Sequence, residues 1–146
     1  MAAETRSSVF LTLIVYASEP DFIKRRHVGI DFDFEDINRW EFYHIQGEPT
    51  KFGIENRSQY NPYRSANFAK SVKVGHLRAQ VTRSELKSNI YNSVQPDNWE
   101  ENCQIWAGRV LETLSDQGYL AAGDVAAAID GMAEAVAEAT EEDQAE

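Results

Sequence analysis

The sequence predicts an α+β domain, with an antiparallel sheet from the N-terminal half packed against C-terminal helices. Segments of strand period fill the first half and segments of helical period the second, with no alternating βαβ pattern. The 146 residues fit one domain large enough to bury a core of its own. The single cysteine, Cys103, excludes both an internal disulfide framework and a CxxC zinc site, so side-chain packing must hold the fold. We place the domain at residues 1–139 and an acidic tail at 140–146.

The run Val9 to Ala17 is rich in Val, Ile, Thr, Phe and Tyr and reads as a buried strand. From Ile23 to Phe34, Val28, Ile30, Phe32 and Phe34 alternate with His27, Gly29, Asp31 and Asp33, the period of two of a half-buried strand. Glu35 to Asn38 supplies a turn. Arg39 to Gln46 then returns as a second arm carrying Trp40, Phe42 and His44 on one face. Gly47 to Ala66, with Pro49 and Asn61–Pro62, reads as a long irregular connection holding one short strand near Phe52 to Ile54. Ser71 to Leu77 is another strand. Thr82-Arg83-Ser84-Glu85 is a capping box that opens a helix with Leu86, Ile90 and Val94 at four-residue steps. Cys103, Trp106, Ala107, Val110 and Leu114 form one apolar stripe of a next helix, ended by Gly118. Asp124 starts a last, alanine-rich helix carrying Ile129, Met132 and Val136.

Charge narrows the function classes. The net charge is −10, and the last basic residue is Arg109. Ten of the 24 acids follow it, so the chain up to Arg109 is formally neutral. No basic stripe exists to neutralise phosphates, which argues against nucleic acid. The apolar run at Val9 is too short to span a bilayer, and Glu4 beside Arg6 leaves no basic leader before it. We therefore expect an unprocessed, soluble, cytoplasmic protein without a membrane partner; the lone cysteine suits a reducing compartment.

If the chain does chemistry, Cys103 is the candidate nucleophile. With Asn102 as N-cap it falls in the first turn of its helix, where unpaired N–H groups and the helix dipole stabilise a thiolate. With Asn98 as the cap it falls in the second turn, where the effect is weaker. Gln104 follows and offers an amide to a developing oxyanion. A base must come from His27, His44 or His76.

His27 and His44 lie on the two arms of the hairpin and face each other if positions summing to 71 pair. That register also sets Gly29 against Phe42 and leaves space above the sheet. Alternation conflicts with it, since Val28, Ile30 and Phe32 would more naturally share a face with Trp40, Phe42 and His44. A sheet buried on both faces, or a bulge, resolves the conflict. Trp40, Phe42, Trp99 and Trp106 are core material first and a substrate pocket second. Asp31, Asp33, Glu35 and Asp36 lack the loop glycine and spacing of an EF-hand and read as a solvated hairpin turn. Two histidines and a cysteine without zinc spacing predict no metal and no cofactor.

At His27-Val28-Gly29-Ile30, Phe42-Tyr43-His44-Ile45-Gln46-Gly47 and Asn98-Trp99-Glu100-Glu101-Asn102-Cys103-Gln104-Ile105-Trp106, the chain resembles a small-protein family of filamentous fungi. More distantly, the order of two strand histidines and a cysteine opening a later helix resembles the circularly permuted papain-like enzymes of the lecithin:retinol acyltransferase and PPPDE groups. That resemblance implies acyl transfer, or ester or amide cleavage, through a Cys103 thioester. His27 would be general base and His44 its partner, on a small acyl or amide substrate. A hydrolase, an acyltransferase or a cyclase of secondary metabolism all fit it. Gln104-Ile105 stands where the retinol acyltransferases have Glu–His. The other expectation is a non-catalytic module that binds a ligand or protein through its aromatic cleft or its acidic last helix.

Overall fold

The computed structural model describes residues 5–16, 27–46, 53–64, 68–93 and 103–145, those at 46, 92–93, 103–104 and 138–145 by backbone alone. Five strands form one sheet: β1 (Val9–Tyr16), β2 (His27–Phe34), β3 (Arg39–Gln46), β4 (Gly53–Ser58) and β5 (Phe68–His76). Three helices follow: α1 (Arg83–Ser93), α2 (Cys103–Asp116) and α3 (Ala122–Ala145). The spatial order is β4-β3-β2-β1-β5, and every neighbouring pair is antiparallel. This is the expected α+β arrangement. No helix among the described residues is long and apolar enough to cross a membrane.

The helices cover one face. Val9, Leu11, Leu13 and Val15 of β1 point there, opposite Phe34, Phe32, Ile30 and Val28 of β2. Tyr43 and Ile45 of β3 join them. Trp106, Ala107, Val110, Leu111 and Leu114 of α2 meet this layer over β2 and β3, while α3 lies over β5 and β1 through Val125, Ala128, Met132 and Ala135. Each of the larger aliphatic and aromatic side chains contributes about 1.5–3 kcal/mol when taken fully out of water, so this layer is the main source of stability. The ends of the helices follow local chemistry. The Thr82 hydroxyl accepts from the Glu85 N–H and the Glu85 carboxylate accepts from the Thr82 N–H, both at 3.1 Å. Past α2, Gly118 takes a φ of +85°, which a glycine adopts without a Cβ clash. The last helix runs through the segment read as an acidic tail.

Three expectations need correction. The β2–β3 hairpin pairs positions summing to 73, with Ile30 opposite Tyr43 and Asp31 opposite Phe42. Its parity still puts His27, Gly29, Asp31 and Asp33 on one face with Trp40, Phe42 and His44, and the apolar arm of β2 faces Tyr43 and Ile45 instead. The conflict in the alternation disappears because β2 is buried on both faces. Second, the strand expected near Phe52 to Ile54 is β4, Gly53–Ser58. Third, Asp31 is not in a solvated turn: it lies within β2 and is 6% exposed, whereas Glu35 and Asp36 in the turn are exposed.

The topology decides what covers the second face. Successive antiparallel pairings make β4 and β5 run in the same direction at opposite edges of the sheet. Four strand spacings of about 4.8 Å separate them, roughly 19 Å. The connection from Gln59 onward must cross the sheet to reach Phe68. Its described part, residues 59–64, lies over the helix-free face, with a short 3-10 turn at Pro62–Arg64.

Candidate functional site

The helix-free face carries most of the ionisable groups expected to be functional. From edge to edge it presents Glu55 and Arg57 of β4; Trp40, Phe42 and His44 of β3; His27, Gly29, Asp31 and Asp33 of β2; and Phe10, Thr12, Ile14 and Tyr16 of β1. Ile14, Tyr16 and Phe42 form a second, smaller apolar cluster there, with Tyr60 and Phe68 packed against it. Gly29 makes room for it. The Phe42 ring lies across Gly29, where an added Cβ would come within 2.6 Å of Cε1 and closer still to Cζ. The space expected above Gly29 is therefore filled by Phe42.

The two histidines of the sequence reading meet on this face. His27 Nε2 lies 2.5 Å from His44 Nδ1, and His44 Nε2 lies 2.7 Å from Glu55 Oε1. One tautomer pattern satisfies both contacts with neutral rings. His44 donates its Nε2–H to Glu55, its Nδ1 accepts the Nε2–H of His27, and Nδ1 of His27 keeps its lone pair. Burial lowers the His27 value to about 4, helped by His44 and Arg57 and opposed by Glu55. Burial likewise lowers His44, against the pull of Glu55. Glu55 is held ionised below its usual range, chiefly by its hydrogen bond with His44. Arg57 shares that carboxylate and lies over the Tyr60 ring, 5.2 Å from its centroid. The row Glu55–His44–His27 is a neutral imidazole pair anchored on a carboxylate.

Beside it lies a cavity of about 160 Å³ lined by Asp31, Trp40, Gln59, Tyr60, Asn61, Pro62 and Tyr63. Asp31 comes from β2, Trp40 from β3, and the others from the connection that crosses the face. Gln59 ties the start of that connection to β3: its N–H donates to the Trp40 carbonyl and its side chain accepts from the Trp40 N–H, both at 2.7 Å. The Tyr63 side chain bonds to Thr12 and Ser71 on the far side, and Tyr60 bonds to Tyr16. Asp31 lines the cavity, and its Oδ1 is buried without a hydrogen-bond partner. Burial, reinforced by Asp33, pushes its carboxyl up to about 7.

The other expected site residues divide. Trp40 is 40% exposed at the cavity, and Phe42 is buried between the histidines and Tyr60. Trp106 is fully buried in the core on the helix side, where it packs the fold and takes no part in the cavity on the other face. Trp99 lies outside the described residues, as do the side chains of Cys103 and Gln104. Cys103 is the first residue of α2, and α2 packs on the face opposite the one bearing His27 and His44. The described residues thus bring His27, His44 and Glu55 together, but put the sheet between the histidines and the helix that Cys103 opens. His76 is exposed and paired with Glu35 at 2.7 Å. Among the described residues no cluster of three or more His, Cys, Asp or Glu has the arrangement to hold a metal ion.

Sequence reasoning missed Glu55, Tyr60 and Tyr63 because they sit in what reads as an irregular connection. Their one signal was the alternation of Ile54 with Glu55 and Arg57, a strand period too short to register.

Fold and site together define an α+β domain with helices on one face of an antiparallel sheet and an aromatic, histidine-bearing cleft on the other. The chain belongs to the DUF6540 family, a family of unknown function, which matches it over residues 11–121. The matched span includes nearly the whole sheet, the crossing connection, α1 and α2, and ends just before α3. No curated protein and no solved structure matches the chain.

Proposed function

We propose that this protein is a small-molecule-binding domain whose ligand lies on the helix-free face, under the connection between β4 and β5. The observation that carries this reading is the cavity itself: Trp40, Tyr60, Tyr63 and Pro62 wall it, and a buried carboxylate without a partner on Oδ1 stands in its lining. Apolar walls with a few convergent polar groups are what small-ligand sites present. The His27–His44 pair lies on the same face, and because burial holds His27 down to about 4 it stays neutral there and offers a hydrogen-bond acceptor rather than a strong base. Amide chemical-shift mapping with a library of single-ring fragments tests the proposal. Shifts gathered at Asp31, Trp40 and Tyr60 to Tyr63 support it; shifts confined to α1, α2 and α3, or none at all, overturn it.

A second reading keeps the cysteine chemistry. Its support is the position of Cys103 at the first residue of α2, where free N–H groups favour a thiolate. In that reading the domain is a permuted papain-like acyl-transfer enzyme with Cys103 as nucleophile and Gln104 or a backbone N–H at the oxyanion. It comes second because α2 and the histidines occupy opposite faces of the sheet. The rate of Cys103 alkylation by iodoacetamide against pH, in the native protein and in His27→Ala, separates the two. A thiolate forming well below the free-cysteine value of about 8.5 and lost in the variant requires a Cys–His pair. Alkylation indifferent to His27 removes it.

A further inference from the structure

We infer that the ligand of this cleft is a small organic cation, an aromatic or similarly flat amine, whose ammonium group sits against Asp31 while its body lies between Trp40, Tyr60 and Tyr63. The inference rests on the open-face reading above and names its ligand class.

Geometry carries the argument. Asp31 stands on the central strand, 6% exposed; it lines a cavity of about 160 Å³, and its Oδ1 is buried without a hydrogen-bond partner. A buried carboxylate with one oxygen unpartnered is a costly group for a fold to keep, and a ligand that brings an opposite charge recovers part of that cost. The walls suit the same ligand, because Trp40, Tyr60 and Tyr63 offer aromatic surface against which a flat apolar body packs. Size agrees as well: a cavity of roughly 150 Å³ holds one benzene-sized ring.

The surrounding charges leave the task to the ligand. On the same strand Asp33 adds a second carboxylate, which with burial raises Asp31. From β1 and the crossing connection come the phenols of Tyr16 and Tyr63, both raised chiefly by burial with a smaller push from Asp31. Lys73 of β5 stands opposite Thr12, one strand further from Asp31. On β3 and β4, His44, Glu55 and Arg57 bond to one another. Among the described residues no α-helix packs on this face. A carboxyl pushed up to about 7 by burial must lose its proton to hold an ammonium, so binding strengthens as pH rises.

The test uses benzylamine, which stays protonated across the range, and its neutral counterpart benzyl alcohol, followed by amide shifts and Trp fluorescence. For the wild-type chain, benzylamine affinity should rise about thirtyfold from about pH 5.5 to 8.5, following the ionised fraction of Asp31. Asp31→Asn should abolish that rise and leave benzylamine no tighter than benzyl alcohol. Trp40→Ala, at an exposed position, should weaken benzylamine without removing its pH dependence. If benzyl alcohol binds as tightly as benzylamine, or if Asp31→Asn binds benzylamine unchanged, the amine assignment fails and the open-face site stands. If neither probe touches Asp31, Trp40 or Tyr60, both readings fail.

Discussion

Replacing Asp31 by asparagine should make this protein more stable, and the gain should grow with pH. In the unfolded chain the carboxyl ionises at its ordinary 3.8; in the fold, burial and Asp33 hold it protonated to about 7. Below 3.8 the group is neutral in both states and costs nothing. As pH rises through 3.8 the unfolded chain gives up its proton while the folded one keeps it, and stability falls until pH passes about 7. At about 1.4 kcal/mol per pH unit, the interval from 3.8 to about 7 amounts to about 4 kcal/mol. A carboxamide of the same shape does not ionise, so the variant escapes this loss. Urea unfolding followed by far-UV circular dichroism, on both proteins between about pH 4 and pH 8.5, measures it directly as a difference. The variant's advantage should increase by about 2–4 kcal/mol across that range, the upper figure holding for a dry cleft. Parallel pH profiles, or a variant less stable at alkaline pH, would refute the view of Asp31 as a buried carboxylate without compensation.

Two further predictions concern the same face. The His27 imidazole, neutral in the fold with its value lowered to about 4, should titrate near that pH by two-dimensional NMR of its ring. Because the unfolded ring protonates near its ordinary 6.5, His27 contributes stability that is present above 6.5 and lost as pH falls through about 4; His27→Gln should flatten this acid limb. Glu55→Gln should depress the value further, since Glu55 is the group that raises it. Gly29→Ala should cost about 1–3 kcal/mol in a denaturant titration, because the new methyl overlaps the ring of the buried Phe42. The same variant should disturb His44 ring shifts, since Phe42 packs against that imidazole at 5.1 Å between centroids. An unchanged stability would show that Phe42 does not lie across Gly29.

Much of the fold was legible in the chain because its signals are local. The alternation from Val28 to Phe34, the arm Arg39 to Gln46, the reciprocal cap of Thr82 and Glu85, and the apolar stripe of α2 each depend on residues a few positions apart. Those periods determine which atoms a segment can bury, whatever surrounds it. The pairing of His27 with His44 was legible for the same reason, as the parity of a hairpin register, although its offset was not. Beyond that, non-local geometry decided. Whether Asp31 was a solvated acid or a buried one depended on which chain crossed its face. The crossing followed from β4 and β5 lying parallel at opposite edges, an arrangement set by strand order. Trp106 could not be assigned to pocket or core until α2 was laid on the sheet. Nor could the chain alone show that α2 and the histidines take opposite faces. Sequence by itself determined the elements, their amphipathic faces and the residues able to titrate. Only the tertiary structure decided which of those residues meet, because burial and charge act through space and the strands that bring Glu55, His44, His27 and Asp31 together are separated in the chain by turns that carry no record of the final order.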